Sequence, residues 1–113
     1  MRVVVVQPPY PSGGRLQDAE DCISWCTSAL GELAPGTADL VVLPEYCTVP
    51  GIVEVADALR FLDLRGHAFE QEIQAEAERL EACIVYGTLY DGARRTNRTV
   101  VTGPDGLLAV YDK

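Results

Sequence analysis

Two apolar runs in this chain end on side chains able to accept a proton or steady a charge. Leu40-Val41-Val42-Leu43 leads into Pro44-Glu45-Tyr46, and Leu107 to Tyr111 leads into Asp112-Lys113. A carboxylate can take the proton of a nucleophile, and a fixed ammonium can stabilise negative charge developing on a substrate. In open α/β sheets such groups gather at the carboxyl ends of strands. Glu45 and Lys113 together form a candidate acid/base pair. Taken singly, the one is an ordinary loop carboxylate and the other a C-terminal lysine. A pair of this kind still needs a nucleophile.

The other reactive residues read as structural. Cys22 and Cys26 share the apolar face of a helix, where core packing explains them. Their x3 spacing is not a usual zinc pair, and no second pair accompanies it. Cys83 opens a strand and is expected to be buried. Cys47, two residues after Glu45, is the remaining thiol. His67, the sole histidine, falls at a helix start with no other ligand set in view.

The elements that must position Glu45 and Lys113 follow from the periodicity. Val3 to Val6 is a continuous β-branched run, suited to a strand buried on both faces. Pro8, Pro9, Pro11, Gly13 and Gly14 make the next stretch a loop. From Leu16, the spacing of Cys22, Cys26, Ala29, Leu30 and Leu33 predicts a helix that Pro35-Gly36 ends. Asp39 to Leu43 reads as a second buried strand, and Pro44 to Gly51 as irregular. Residues 53–65 predict a short helix. His67 to Ala82 predicts a longer one, with Phe69, Ile73, Ala77 and Leu80 on one face and Glu70, Glu72, Glu76 and Glu78 opposite.

Cys83 to Tyr90, Asn97 to Thr102 and Leu107 to Tyr111 complete five strands. Asp91-Gly92 opens a turn, and Pro104-Asp105-Gly106 is a hairpin turn in which Pro fixes φ and Gly accepts φ > 0. The order β-α-β-α-α-β-β-β implies parallel pairing first and an antiparallel hairpin last. Residues 1–113 read as one unit, with no repeat or linker.

Composition narrows the function. The formal charge is −8, and Arg94-Arg95 is the only basic dipeptide, which argues against nucleic acid. No run approaches the roughly 18 apolar residues that span a membrane. Met1-Arg2 runs directly into the first strand, unlike a secretory leader. A cytoplasmic chain with reduced thiols is expected.

Three motifs in order resemble the nitrilase, or carbon–nitrogen hydrolase, superfamily. Leu43-Pro44-Glu45-Tyr46 with Gly51 resembles its glutamate motif. Asn97-Arg98-Thr99-Val100-Val101, Gly103-Pro104-Asp105-Gly106 and Tyr111-Asp112-Lys113 resemble its lysine motif. The opening Val3–Gln7 strand is similar to the family's first.

The resemblance implies a Glu-Lys-Cys mechanism with Glu45 as general base and Lys113 as cationic stabiliser. The cysteine would lie beyond Lys113, on a later strand-to-helix elbow. Cys47 resembles a loop neighbour of the base, not that elbow. The resemblance further implies that these residues are the N-terminal part of an α-β-β-α sandwich whose C-terminal part is not among them. Tyr46 is a candidate pocket wall, and Asn97 a candidate for fixing the local geometry. The substrate would be a small amide, carbamoyl compound or nitrile, with no metal or organic cofactor and a homo-oligomeric protein. Two competing readings are a non-catalytic truncated paralogue and a small α/β binding domain, each acting through protein–protein contact.

Overall fold

The computed structural model describes all 113 residues. The β-branched and apolar runs form strands β1 (Val3–Val5), β2 (Leu40–Val42), β3 (Cys83–Asp91), β4 (Arg95–Gly103) and β5 (Gly106–Asp112). They join in one sheet in the order β1-β2-β3-β4-β5. β1, β2 and β3 are parallel, and β4 and β5 add antiparallel. The register aligns Val4 with Val41 and Val41 with Ile84, so one residue parity points to each face along the sheet. At the β4–β5 turn Gly106 takes φ 120°, the conformation its place after Pro104-Asp105 predicts.

Helix α1 (Leu16–Glu32) buries Ala19, Cys22, Ile23, Cys26 and Leu30. Helix α3 (His67–Leu80) buries Phe69, Ile73, Ala77 and Leu80, the face its spacing predicts. All of these side chains except Cys22 meet Val41, Leu43, Ile84, Tyr86 and Val100 in a single apolar core. The helices of this core therefore cover the Val41–Ile84 face of the sheet.

The region between β2 and α3 departs from two separate helices. α2 (Val55–Phe61) runs through a π-helical turn, Leu62–Gly66, straight into α3. Gly66 marks this turn for a steric reason. A Cβ there would lie 2.9 Å from the Thr48 carbonyl and 2.7 Å from Leu62 Cδ1. The glycine lets the helix rest against the loop that follows Glu45.

The opposite face of the sheet corrects one expectation. The Val3–Val6 run is not buried on both faces: Val3 and Val5 are 51% and 57% exposed, while Val6 on the helix side is buried. Cys83 is likewise only half-buried. The β-branched run matches a two-sided environment, yet these residues supply cover for one side only. Tyr111 and Leu108 extend the apolar exposure along β5. A sheet face of this kind invites association.

We expect the 113-residue chain by itself to be oligomeric or aggregated, despite a charge of −8 that opposes association. Size-exclusion chromatography with light scattering and a thermal melt would check this. A monodisperse monomer of 12.3 kDa with a sharp transition would contradict it.

Candidate active site

Pro44 ends β2, but the backbone beyond it stays tied to β3. Leu43 N–H donates to the Val85 carbonyl at 2.9 Å, and Gly87 N–H to the Pro44 carbonyl at 3.2 Å. Cys47 N–H donates to the Gly87 carbonyl at 3.0 Å. The segment bearing Glu45 therefore lies directly against β3 at Gly87. A Cβ at Gly87 would sit 2.7 Å from Glu45 Cα and 2.8 Å from Tyr46 N, so only glycine permits this approach.

Tyr10, from the proline-rich loop after β1, holds the same segment from the other side. Its hydroxyl lies 3.1 Å from the Glu45 carbonyl and 3.3 Å from that of Tyr46, and donates to this pair. Burial is the main cause that pushes the Tyr10 hydroxyl pKa up to about 12, so it remains a donor at neutral pH. Tyr46 itself adopts φ 55°, a left-handed conformation that a bulky residue keeps only under such constraint. Below the loop, Thr48 Oγ1 and Thr88 Oγ1 form a buried hydrogen bond of 2.6 Å.

The hairpin brings the other half of the site. The Lys113 backbone N–H donates to the Asn97 carbonyl at 3.0 Å, which places the end of β5 beside the start of β4. Lys113 Nζ then reaches Glu45 Oε1 at 3.0 Å. Asn97 Nδ2 donates to the same oxygen. By strand alternation Asn97 shares the face of Gly87, Val85 and Val42, so the cluster lies on the face that carries no helix. Asn97 Oδ1 is buried and has no partner among these residues.

These contacts shift both titrations. The hydrogen bond from Lys113, then that from Asn97, then the lysine charge hold the Glu45 carboxyl below its ordinary 4.5. The bond to Glu45 raises the Lys113 ammonium above its ordinary 10.5. Glu45 is thus ionised and Lys113 protonated across the neutral range. Because the carboxyl is depressed, the pairing is lost only as pH falls through its lowered value. Because the ammonium is raised, the upper limit lies above 10.5. Replacing Asn97 by Ala removes one donor, and the Glu45 pKa is expected to rise toward 4.5. A carbon-detected NMR titration of the Glu45 carboxyl would read this directly. An unmoved titration curve would show that Asn97 does not support the carboxylate.

Of the residues singled out from sequence, Glu45, Lys113 and Asn97 meet in one cluster, and Tyr46 adjoins it. Cys47 does not join them. It is 3% exposed in the core, and burial, followed by neighbouring Cys26, pushes its thiol well above the ordinary range. Such a thiol is poorly suited to attack. His67 lies on a different element, paired with Glu70 at 3.1 Å. Sequence reasoning missed Gly87 and Tyr10. An isolated glycine inside a strand pattern was the available signal for the first, since it marks a close backbone approach. Nothing in the proline-rich loop distinguishes Tyr10.

A mixed five-stranded sheet with helices on one face and Glu, Asn and Lys gathered on the other has the nitrilase-like α/β fold. Over its whole length this chain is similar to structures of the carbon–nitrogen hydrolase superfamily. One is a CN-hydrolase superfamily protein from Xanthomonas campestris with an arsenic adduct in its active site. It matches at 26% identity and a TM-score of 0.70 over 100% of this chain and 40% of that one. An amidase from Nesterenkonia sp. shares this fold at 20% identity and TM-score 0.62, over 100% of this chain and 42% of its own. A carbon–nitrogen hydrolase from Helicobacter pylori G27 does so at 23% identity and TM-score 0.62, over 100% and 39%. The chain thus spans about two fifths of the length of these structures. No protein-family profile matches the sequence, and no curated protein does.

Proposed function

We propose that these residues are the N-terminal part of a carbon–nitrogen hydrolase of amidase or nitrilase type. The observation that carries this is the meeting of Lys113 Nζ and Asn97 Nδ2 on Glu45 Oε1, across 68 and 52 residues of sequence. Structural likeness to hydrolases supports the class. The Nesterenkonia amidase has an active-site cysteine, which in one variant takes up acrylamide by Michael addition. The corresponding thiol of this protein would come from outside these residues.

Ionised Glu45 would accept the thiol proton as sulfur bonds to the carbon of an amide, carbamoyl compound or nitrile. Charge then grows on the substrate oxygen or nitrogen, where the Lys113 ammonium can stabilise it. For an amide, Glu45 returns the proton to the departing nitrogen, leaving a thioester and free ammonia or amine. Water, deprotonated by the same carboxylate, then splits the thioester and releases the acid. Tyr46 and Asn97 would shape the pocket. The reading includes a homo-oligomer and a cytoplasmic setting. No helix here is long and apolar enough to cross a membrane. A second reading, a non-catalytic chain that binds a protein partner, is favoured only by the bare face around Val3 and Val5.

The test compares the 113-residue chain with a version extended by its downstream coding sequence, using a panel of short amides and nitriles. Ammonia release is expected from the extended protein and not from the short chain. Ammonia release by the short chain that disappears in Cys47→Ser would overturn the assignment of the nucleophile. Absence of turnover by an extended, folded protein would favour the binding role.

A further inference from the structure

Resting on that hydrolase reading, we infer that the acyl part of the substrate is uncharged and apolar, and that it lodges between the proline-rich loop and the segment leading into α2. A pocket of about 440 Å³ lies there, bounded by Tyr10, Tyr46, Val49, Ile52, Val55 and Leu89. Each end of this lining is tied to the candidate base. Tyr46 follows Glu45 directly, and the Tyr10 hydroxyl binds the carbonyls of both. Leu89 pairs in register with Asn97, which holds the Glu45 carboxylate. A carbonyl or nitrile carbon presented to Glu45 therefore has this pocket beside it.

The wall that these residues supply favours one chemistry. Eight of its 11 residues are hydrophobic and none is charged. Its polar side-chain atoms are hydroxyls, those of Tyr10, Tyr46 and Ser12. A substrate carboxylate placed against this wall would find no cation among its residues and would have to shed water without compensation. A substrate ammonium would find no acidic partner in the wall and would have to shed water without compensation. Aliphatic or aryl groups face neither penalty and gain from burial. The contrast with the cleft on the helix side of the sheet is instructive. That cleft, about 510 Å³, carries Asp63, His67, Glu70 and Arg98, and suits a charged guest instead.

The test uses the extended protein and a homologous series from acetamide to hexanamide, with succinamate and β-alaninamide as charged competitors. kcat/KM is expected to rise by about fourfold per added methylene until the pocket is filled, and both charged amides to be turned over least. A flat series, or a preference for either charged amide, would overturn the inference.

A second arm uses Val53→Lys, a substitution at a lining residue that is 77% exposed and so tolerant of change. It places an ammonium at the pocket. The ratio of succinamate to butyramide turnover should rise by roughly tenfold or more, and an unchanged ratio would count against this location. Methyl NMR of the protein titrated with hexanamide separates the two readings. Shifts at Val49, Ile52, Val55 and Leu89 without any turnover would sink the hydrolase assignment and keep the pocket's ligand class. Turnover without those shifts would do the reverse.

Discussion

Glu45→Gln in the extended protein is expected to lower kcat by about 10²–10⁴, the range over which general bases act. The amide keeps the shape of the carboxylate and can still accept from Lys113 Nζ, now 3.0 Å from Oε1. It cannot take a thiol proton. Substrate binding should therefore survive while acylation fails, so the loss appears in kcat with little change in the substrate dissociation constant. Lys113→Ala should lose a comparable factor through charge stabilisation in the transition state. In that variant the Glu45 carboxyl also loses the largest cause of its depressed pKa and should titrate higher. The acid limb of the kcat/KM profile would then move to higher pH, which reads the lost ion pair separately from the lost charge stabilisation in kcat. Near-normal kcat in either variant would remove that residue from the mechanism.

Gly87→Ala should be nearly as damaging although Gly87 offers no chemistry. Its new methyl would lie 2.7 Å from Glu45 Cα and 2.8 Å from Tyr46 N, both backbone atoms that cannot swing aside. The segment must lift off β3, stretching the bonds that Gly87 makes to Pro44 and Cys47 at 3.2 and 3.0 Å. Overpacking of this kind destabilises by about 1–3 kcal/mol. Displacing the base by about 1 Å can slow an enzyme by roughly 10². A urea melt and steady-state kinetics would measure the two effects separately. Wild-type stability together with wild-type kcat would show that the loop can yield without moving the carboxylate.

Much of this architecture was legible in the residues, and the exceptions have physical causes. Strand and helix order followed from periodicity because short β-branched runs and the spaced apolar face of α3 are distinct patterns. The Pro104-Asp105-Gly106 turn was readable because its φ requirements select residue types. Glu45 and Lys113, 68 residues apart, were legible as a candidate pair from their place at strand ends, and the motif resemblance gave each its role. The Val3–Val6 run was misread because β-branched residues record how a strand is finally covered, not which residues cover it. The fusion of α2 with α3 was hidden by Gly66, a residue that usually interrupts a helix but here serves a contact with Thr48. Tyr10 could not be found because its role depends on a carbonyl pair brought near by the fold.

The distance in sequence between Glu45 and Lys113 also bears on the birth of the protein. On a ribosome adding about 5–20 residues per second, 68 residues separate the two by roughly 3–14 s. Over that interval β1 and β2 can already pair, being joined by a local helical crossover, and α3 can dock. The carboxylate meanwhile waits in solvent without its ammonium. Once both strands have emerged, closing the β4–β5 hairpin takes on the order of microseconds. Synthesis therefore sets the earliest moment at which this charge pair can exist. Slow or fast codons between Glu45 and Lys113 would lengthen or shorten that window without altering the finished fold.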